Sequence, residues 1–209
     1  MLHEPSYAFP PRNVITGPLQ VLVSYATMTH LANSPCVPRS SMDRLPDQLQ
    51  RHLRLVFVGT AAGQRSADLG HYYAHPGNRF WRTIHEIDLT PRRYRPHEFP
   101  ALLALGIGFT DMCKVGAGMD HEALQAGVDV QAFVEKMRRY RPRTIAFTSK
   151  KAASLFYGRP TGKIALGRQP PLTDFPVVFV LASPSGAASG AWSVRPWQEL
   201  ADCVRSESA

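Results

Sequence analysis

Four short apolar runs, separated by apolar residues at helical spacing, constrain the fold of this chain more than any other feature. The runs are Leu55–Val58, the segment around Phe109, residues 143–148 and residues 176–182. Between them the spacing i, i+3, i+4, i+7 of an amphipathic helix recurs, as in Val130, Phe133, Val134 and Met137. This alternation predicts an α/β fold in three layers (α/β/α), with a short central parallel sheet of about four strands and helices on both faces.

The same periodicity places the other helices and divides the chain into two parts. Helices are predicted at 80–87, around Phe99, at 152–156 and at 196–204. Residues 45–209 are therefore predicted to form a single domain. Residues 1–44 are proline-rich and weakly periodic, which is typical of an irregular or disordered extension. Met42, just ahead of the domain, is compatible with an alternative translation start.

The net charge of the chain indicates which class of partner it binds. The 209 residues include 24 Lys and Arg against 16 Asp and Glu, a formal net charge of +8. The first fifty residues hold as many basic as acidic side chains, so the surplus lies in the domain. An arginine-rich domain favours phosphate-bearing partners, nucleic acid first, with Arg92–Arg95 and Arg138–Arg143 as candidate contacts. A merely basic, soluble surface is the alternative.

Several function classes are disfavoured. No apolar run reaches the length of a membrane span and no signal-peptide pattern opens the chain, so we expect a cytoplasmic protein without a membrane partner, nucleoid-associated in a bacterium. The three scattered cysteines and the histidine spacings fit neither disulfides nor zinc, so we expect no metal. The turn Gly59–Gly63 lacks the spacing of nucleotide-binding loops, and no nucleophile elbow is present.

Polar and aromatic segments follow the predicted strands directly. They come after Val58, Phe147 and Leu181, and Asp111 follows the remaining strand. Ligands of parallel sheets bind at the carboxyl ends of the strands. These segments are therefore expected to converge on one cleft.

Four segments then carry a family resemblance: "GTAAGQRSADLGHYYAHPGNRFW", "GIGFTDM", "YRPRTIAFTSKKA" and "SPSGAAS". In order and spacing, over roughly Leu45 to Val204, the chain resembles the uracil-DNA glycosylase superfamily, and most of all its mismatch-specific uracil/thymine branch. The resemblance implies the same three-layer fold and a partner DNA that contains uracil or another deaminated base. It also implies an enzyme, monomeric by default, that flips the base out and hydrolyses its N-glycosidic bond with no metal or cofactor.

The resemblance also implies roles for individual residues. Tyr73 would stack on the flipped base, and Asn78 would brace the pocket. Thr148 and Ser149 stand where relatives carry an amide that contacts the base edge, which favours a pocket tolerant of other bases such as hypoxanthine. Thr60 and Ala61 complete the base-binding set. One loop, which lacks the bulky wedge residue of relatives, is expected to bind DNA through Ser183, Pro184, Ser185, Gly186 and Ala187. Lys150, directly after Ser149, is the other expected DNA-binding residue.

The first motif departs from the family. Relatives carry Asn or Asp at the third position of "GTAAG", where it orients or activates the attacking water. Ala61 can do neither through its side chain. Asp68 in the same segment is the first candidate to replace it, with His71 second and Asp111 third. The alternative is a non-catalytic protein that binds damaged DNA. No lysine lies between Gly59 and Trp81, so a lyase step has little support, although Lys150 and Lys151 leave it open.

Overall fold

The computed structural model describes residues 45–114 and 127–206, which form a five-stranded sheet with helices packed on it. The strands are β1 (Leu55–Ala61), β2 (Ile107–Cys113), β3 (Thr144–Phe147), β4 (Gly167–Arg168) and β5 (Val177–Val180). Their order is β2-β1-β3-β5-β4. Four strands are parallel and the two-residue β4 is antiparallel to β5. The predicted α/β class with a short, mostly parallel central sheet is confirmed, and β4 is an addition to it.

The helices agree with the sequence patterns except at one place. They are α1 (Gln64–Leu69), α2 (Phe80–Glu86), α3 (Val130–Tyr140), α4 (Lys150–Tyr157) and α5 (Arg195–Ser206). Three further segments are 3-10 helices: Pro96–Leu105, which was predicted as helical around Phe99, Thr161–Lys163 and Gly186–Ala191. The six-residue α1 was not predicted. Its N-cap, Gly63, offers no side chain to cap it, so the sequence lacks the usual start signal.

Aromatic contacts fix which helices cover which face of the sheet. On one face the ring of Phe57 lies 4.9 Å from Phe80 of α2 and 6.0 Å from Trp197 of α5. On the other face the ring of Phe147 lies 6.0 Å from Phe133 of α3 and 5.2 Å from Phe156 of α4. Side chains alternate between faces along a strand, so both faces are covered and the fold has three layers.

The first strand is longer than predicted. The sequence indicated a strand ending at Val58 and a turn from Gly59, whereas β1 continues to Ala61. The reason is its pairing with β2, in which Gly59 lies opposite Asp111 and Ala61 opposite Cys113. The first motif of the family therefore begins inside the sheet, and Asp111 is a strand residue beside it.

The predicted extension over residues 1–44, including Met42, lies outside the described residues. Within the described ranges, no helix combines the length and apolarity needed to cross a membrane.

Candidate functional site

A cleft of about 620 Å³ opens at the carboxyl ends of the parallel strands. Its wall is formed by most of the segment from Gly59 to Leu69, by Ser183–Ser185 and by individual side chains from four other places. Those side chains include Tyr73, Asn78, Asp111 and Thr148. The expected convergence of the segments after Val58, Phe147 and Leu181 is thus observed.

Tyr73 is held in an unusual conformation at this cleft. Its φ of 53° lies in the left-handed region, which costs a bulky residue of order 1 kcal/mol. Its ring stacks on Phe80, with centroids 3.9 Å apart and planes at 14°. Because Phe80 covers one face, only the other face can receive a planar ligand.

The hydroxyl of Tyr73 has its hydrogen-bond partner within the protein. It donates to Oγ1 of Thr148 over 3.1 Å, and the Thr148 hydroxyl donates onward to the carbonyl of Val58 over 3.3 Å. Burial, helped by the neighbouring Asp111, raises the pKa of the Tyr73 phenol far above its usual range. The side chain of Tyr73 is therefore neutral, and its aromatic ring is fixed in place.

Thr148 and Ser149 line the cleft, but their hydroxyls already have protein partners. Oγ of Ser149 accepts from the backbone N–H of Ala152 over 3.0 Å, as the N-cap of α4, and lies 3.1 Å from Oγ1 of Thr60. The main visible contribution of Thr148 is to position Tyr73. The role of both as readers of a base edge stays a prediction.

Asn78 lies on the cleft wall with its side chain anchored. Its Oδ1 accepts from the backbone N–H of Phe80 over 2.9 Å, at the start of α2. Among the hydrogen bonds of the described residues none uses Nδ2, which leaves two N–H donors beside the cleft. This arrangement agrees with the expected bracing role, which stays a prediction.

The structure brings two of the three catalytic candidates, Asp68 and Asp111, to the cleft. Asp68 lies on α1, is exposed, and accepts from Nε2 of Gln64 over 2.7 Å. His71 does not line the cleft. Its ring lies 6.1 Å from that of His97 and 6.3 Å from that of Phe99. Ala61 lines the cleft as expected and brings only a methyl group and its backbone.

Asp111 is the group whose surroundings the sequence did not reveal. The residue is only 5% exposed, yet it lines the cleft. Burial raises the pKa of its carboxyl to about 6, against the opposing effect of Lys114 and Lys136. The sequence signal for such a group is an acidic residue inside the mostly apolar strand "IGFTDMC".

The loop expected to contact DNA is tied to the segment that precedes α2. The backbone N–H of Arg79 donates to the carbonyl of Pro184 over 2.8 Å. Ser183, Pro184 and Ser185 line the cleft, while the exposed Gly186 and Ala187 continue from its rim.

The basic residues are distributed unevenly around this cleft. Lys150 is partly exposed at the first position of α4, directly after the cleft residue Ser149. The run Arg138–Arg143, in contrast, joins α3 to the amino end of β3. That edge is opposite to the cleft, and the contact of this run with DNA phosphates stays a prediction. Arg92 is bound to Glu98 over 2.7 Å and its guanidinium lies over the ring of Tyr94.

Potential metal ligands do not form a cluster among the described residues. Across residues 45–114 and 127–206, no group of three or more His, Cys, Asp or Glu is arranged to hold a metal ion.

The close approach of Asp111 to Gly59 gives a stability prediction. A methyl group on Gly59 would lie 2.0 Å from Oδ1 of Asp111, whereas one on Gly63 would meet no atom within 4 Å. We expect Gly59→Ala to lower the free energy of unfolding by about 1–3 kcal/mol through overpacking. Gly63→Ala, the matched control, should change it by less than about 0.5 kcal/mol. Urea unfolding of both variants measures the difference, and equal stabilities would contradict the close contact.

The fold and the cleft define a class of protein: an open α/β sheet with a cleft at the carboxyl ends of its strands, where ligands of such sheets bind. The family follows from a match over most of the chain, since residues 46–201 fit the model of the "Uracil DNA glycosylase superfamily". The chain belongs to this superfamily, which supports DNA glycosylase activity in general and DNA as its substrate.

A solved structure is also similar to the chain. It is the solution NMR structure of a "putative Uracil DNA glycosylase" from Methanosarcina acetivorans. The two are 21% identical, the match covers 79% of this chain and 97% of the other, and the TM-score is 0.48.

Proposed function

We propose that this protein is a monofunctional DNA glycosylase that removes uracil, and with it other deaminated bases such as hypoxanthine, in base excision repair. The observation that carries the proposal is Tyr73. In a chain of this superfamily, a strained backbone and the stack on Phe80 hold one aromatic face at the cleft. Stacking on such a face is worth about 1–3 kcal/mol for any planar base. The motifs "AHPGNRFW" and "SPSG" favour the mismatch-specific uracil/thymine branch within the superfamily.

The steps of the reaction follow from this placement. Arg and Lys side chains of the basic domain bind DNA phosphates, and the Ser183–Ser185 segment enters the minor groove. The damaged base leaves the stack, a step that costs a few kcal/mol, and lies against Tyr73. Asp68, or the backbone of the Ala61–Gly63 turn, orients a water molecule towards C1′.

The bonds and charges balance without a cofactor. The C1′–N bond breaks and its electron pair leaves with the base as an anion. The water oxygen forms the new bond to C1′, and its proton passes to Asp68 or to solvent. No lysine lines the cleft formed by the described residues, which supports hydrolysis without a Schiff-base lyase step.

A second candidate function has one observation in its favour. Ala61 provides no polar side chain where the family usually orients water. A protein that binds uracil-containing DNA without cleaving it would keep the stacking face, the basic surface and the groove loop. Positioning and electrostatics remain after the loss of one group, so altered catalysis is favoured over none.

The test is an excision assay on defined DNA. Labelled oligonucleotides with one uracil, single-stranded or opposite G or A, are incubated with the protein and treated with alkali. We expect alkali-dependent cleavage, and salt-sensitive binding because phosphate contacts release counterions. Hypoxanthine and xanthine substrates run in parallel. Binding without cleavage of any substrate would replace the enzyme by the damage-binding protein.

Asp68→Asn tests the water-activating role. Because the carboxylate is exposed and its charge is screened by solvent, we expect single-turnover excision to fall about tenfold rather than by the full effect of a buried base. Gln64→Ala, which removes the partner of Asp68 but keeps the carboxylate, is the control and should change the rate less. An unchanged rate in Asp68→Asn would leave the backbone of the turn as the group that holds water.

A further inference from the structure

Four exposed arginines lie near one another at the edge of the sheet where the parallel strands begin. We call them the amino-edge arginines, and they are Arg51, Arg138, Arg139 and Arg141. Three of them belong to the last turn of α3 and the residue that ends this helix. The fourth is brought beside them by its neighbour His52, whose backbone N–H donates to the carbonyl of Tyr140 over 2.8 Å.

The positive charges of the amino-edge arginines are not neutralised within the described protein. None of the four makes a hydrogen bond or an ion pair among the described residues, whereas Arg92, Arg195 and Arg205 each bind a carboxylate. Glu135, the acidic residue of α3, instead accepts a hydrogen bond from Nε2 of Gln131 over 2.9 Å. Four like charges without partners on one surface attract an anion.

The backbone at the end of α3 indicates that one of these arginines is present for its side chain. Arg141 has a φ of 48° and a ψ of 53°, in the left-handed region. Three other helical segments of the chain end in this region with a glycine, namely at Gly70, Gly106 and Gly158. Glycine adopts this conformation without strain and arginine does not. Arg138 and Arg139 already complement the dipole of α3, so the helix itself does not require a third arginine.

The amino-edge arginines are separated from the cleft by the sheet. Thr148 and Ser149 line the cleft just after β3, whereas Arg141 precedes this strand. Residues 143–148 span about 16 Å at the rise of a strand. A straight duplex that lies across the cleft mouth cannot also reach the opposite edge, because the sheet and its helices lie between. A ligand of the amino-edge arginines is therefore a second molecule or a distant segment of the same one.

We propose that the amino-edge arginines bind the phosphates of a second DNA duplex while the cleft holds the first. The superfamily of this chain acts on DNA, so duplex DNA is the polyanion around the protein where it works. A guanidinium binds phosphate through two parallel hydrogen bonds, and the regular phosphates of a duplex favour it over an acidic protein segment. With two such surfaces the protein passes between duplexes without full release, which speeds the search for rare damaged bases. The inference does not depend on which base the cleft accepts.

The test is the capture of one undamaged duplex by another. One duplex is biotinylated and held on beads, a second carries a fluorophore, and the full chain is added. We expect the wild type to retain the fluorescent duplex on the beads at low salt. Four phosphate contacts predict that the affinity for the second duplex falls roughly a hundredfold between about 50 and 200 mM salt.

Variants of the amino edge assign the capture to these residues. Arg138→Gln/Arg139→Gln should lower the affinity for the second duplex by about tenfold or more. Arg141→Gly should also lower it, with a urea midpoint of unfolding that is unchanged or higher because the strain is relieved. The matched control, Lys163→Gln/Arg168→Gln, removes two exposed charges before and on β4 and should keep full capture. Excision of uracil from a short single strand, which occupies only the cleft, should be unchanged in all three variants.

The outcomes separate this inference from the proposed function. A wild type that binds one duplex but does not capture a second overturns the inference. Equal capture by the wild type and the folded Arg138→Gln/Arg139→Gln overturns it too, and sedimentation then shows whether the two clefts of a dimer hold the duplexes. Binding of polyglutamate at the amino edge in preference to a duplex overturns it in favour of a protein partner. Capture without excision of any base overturns the proposed function and leaves the second DNA surface standing.

Discussion

Single-turnover excision of uracil should fall about 10- to 100-fold when Tyr73 is replaced by alanine. The ring offers one of its faces to a base in the cleft, since Phe80 covers the other. Loss of a stacking partner costs about 1–3 kcal/mol per base, and each 1.4 kcal/mol is a factor of ten. The loss should be seen in the binding of uracil-containing DNA as well as in the rate, because the flipped base is held by the same face before and during bond cleavage.

Tyr73→Phe is the matched control. It keeps the aromatic face and removes only the hydroxyl that donates to Thr148 over 3.1 Å. A neutral hydrogen bond contributes about 1 kcal/mol, so we expect a loss of no more than about fivefold. The unfolding transitions of both variants show whether a loss of rate comes from a loss of fold. Equal rates in wild type and a folded Tyr73→Ala would contradict the role of this ring.

The sequence predicted the sheet well because its strands are short, apolar and buried on both sides. All four parallel strands lie where the apolar runs placed them. It failed where tertiary pairing overrides local signals. Gly59 reads as the start of a turn, but β2 pairs with β1 as far as Ala61 and keeps the chain extended. Helix α1 could not be predicted from the sequence. It has only six residues, its N-cap is a glycine, and its Leu69 is exposed, so it shows no amphipathic pattern.

The site was predictable at the level of segments and less so at the level of side chains. The family motifs identified Tyr73 and Asn78, and the structure places both on the cleft. His71 was chosen for its chemistry and its closeness in sequence, yet its ring lies beside His97 and Phe99. Asp111 is only the third candidate from the sequence, since an aspartate at the end of a strand usually has a structural role. Its burial beside Gly59 depends on strand register, which no local pattern contains.

A buried carboxylate at neutral pH should also lower the stability of this fold. The folded-state pKa of Asp111 is about 6, above its ordinary value of 3.8. The folded state therefore binds a proton more readily than the unfolded state between these values. Stability falls as the pH rises through this window, and the full cost of about 3 kcal/mol is present above it. Asp47, whose pKa is lowered by Lys114 and Lys136 against its burial, has the opposite sign and stabilises the fold above about pH 4.

Asp111→Asn should consequently be more stable than the wild type at pH 8, by up to about 3 kcal/mol, and close to it at pH 4. Urea unfolding at both pH values measures this difference. Asp68→Asn, with its exposed carboxylate, should stay within about 0.5 kcal/mol of the wild type throughout. A gain of stability at pH 8 is the behaviour of a group that the fold itself does not require. A loss of stability at pH 8 would instead make Asp111 a structural residue of β2, whose carboxylate the fold itself requires.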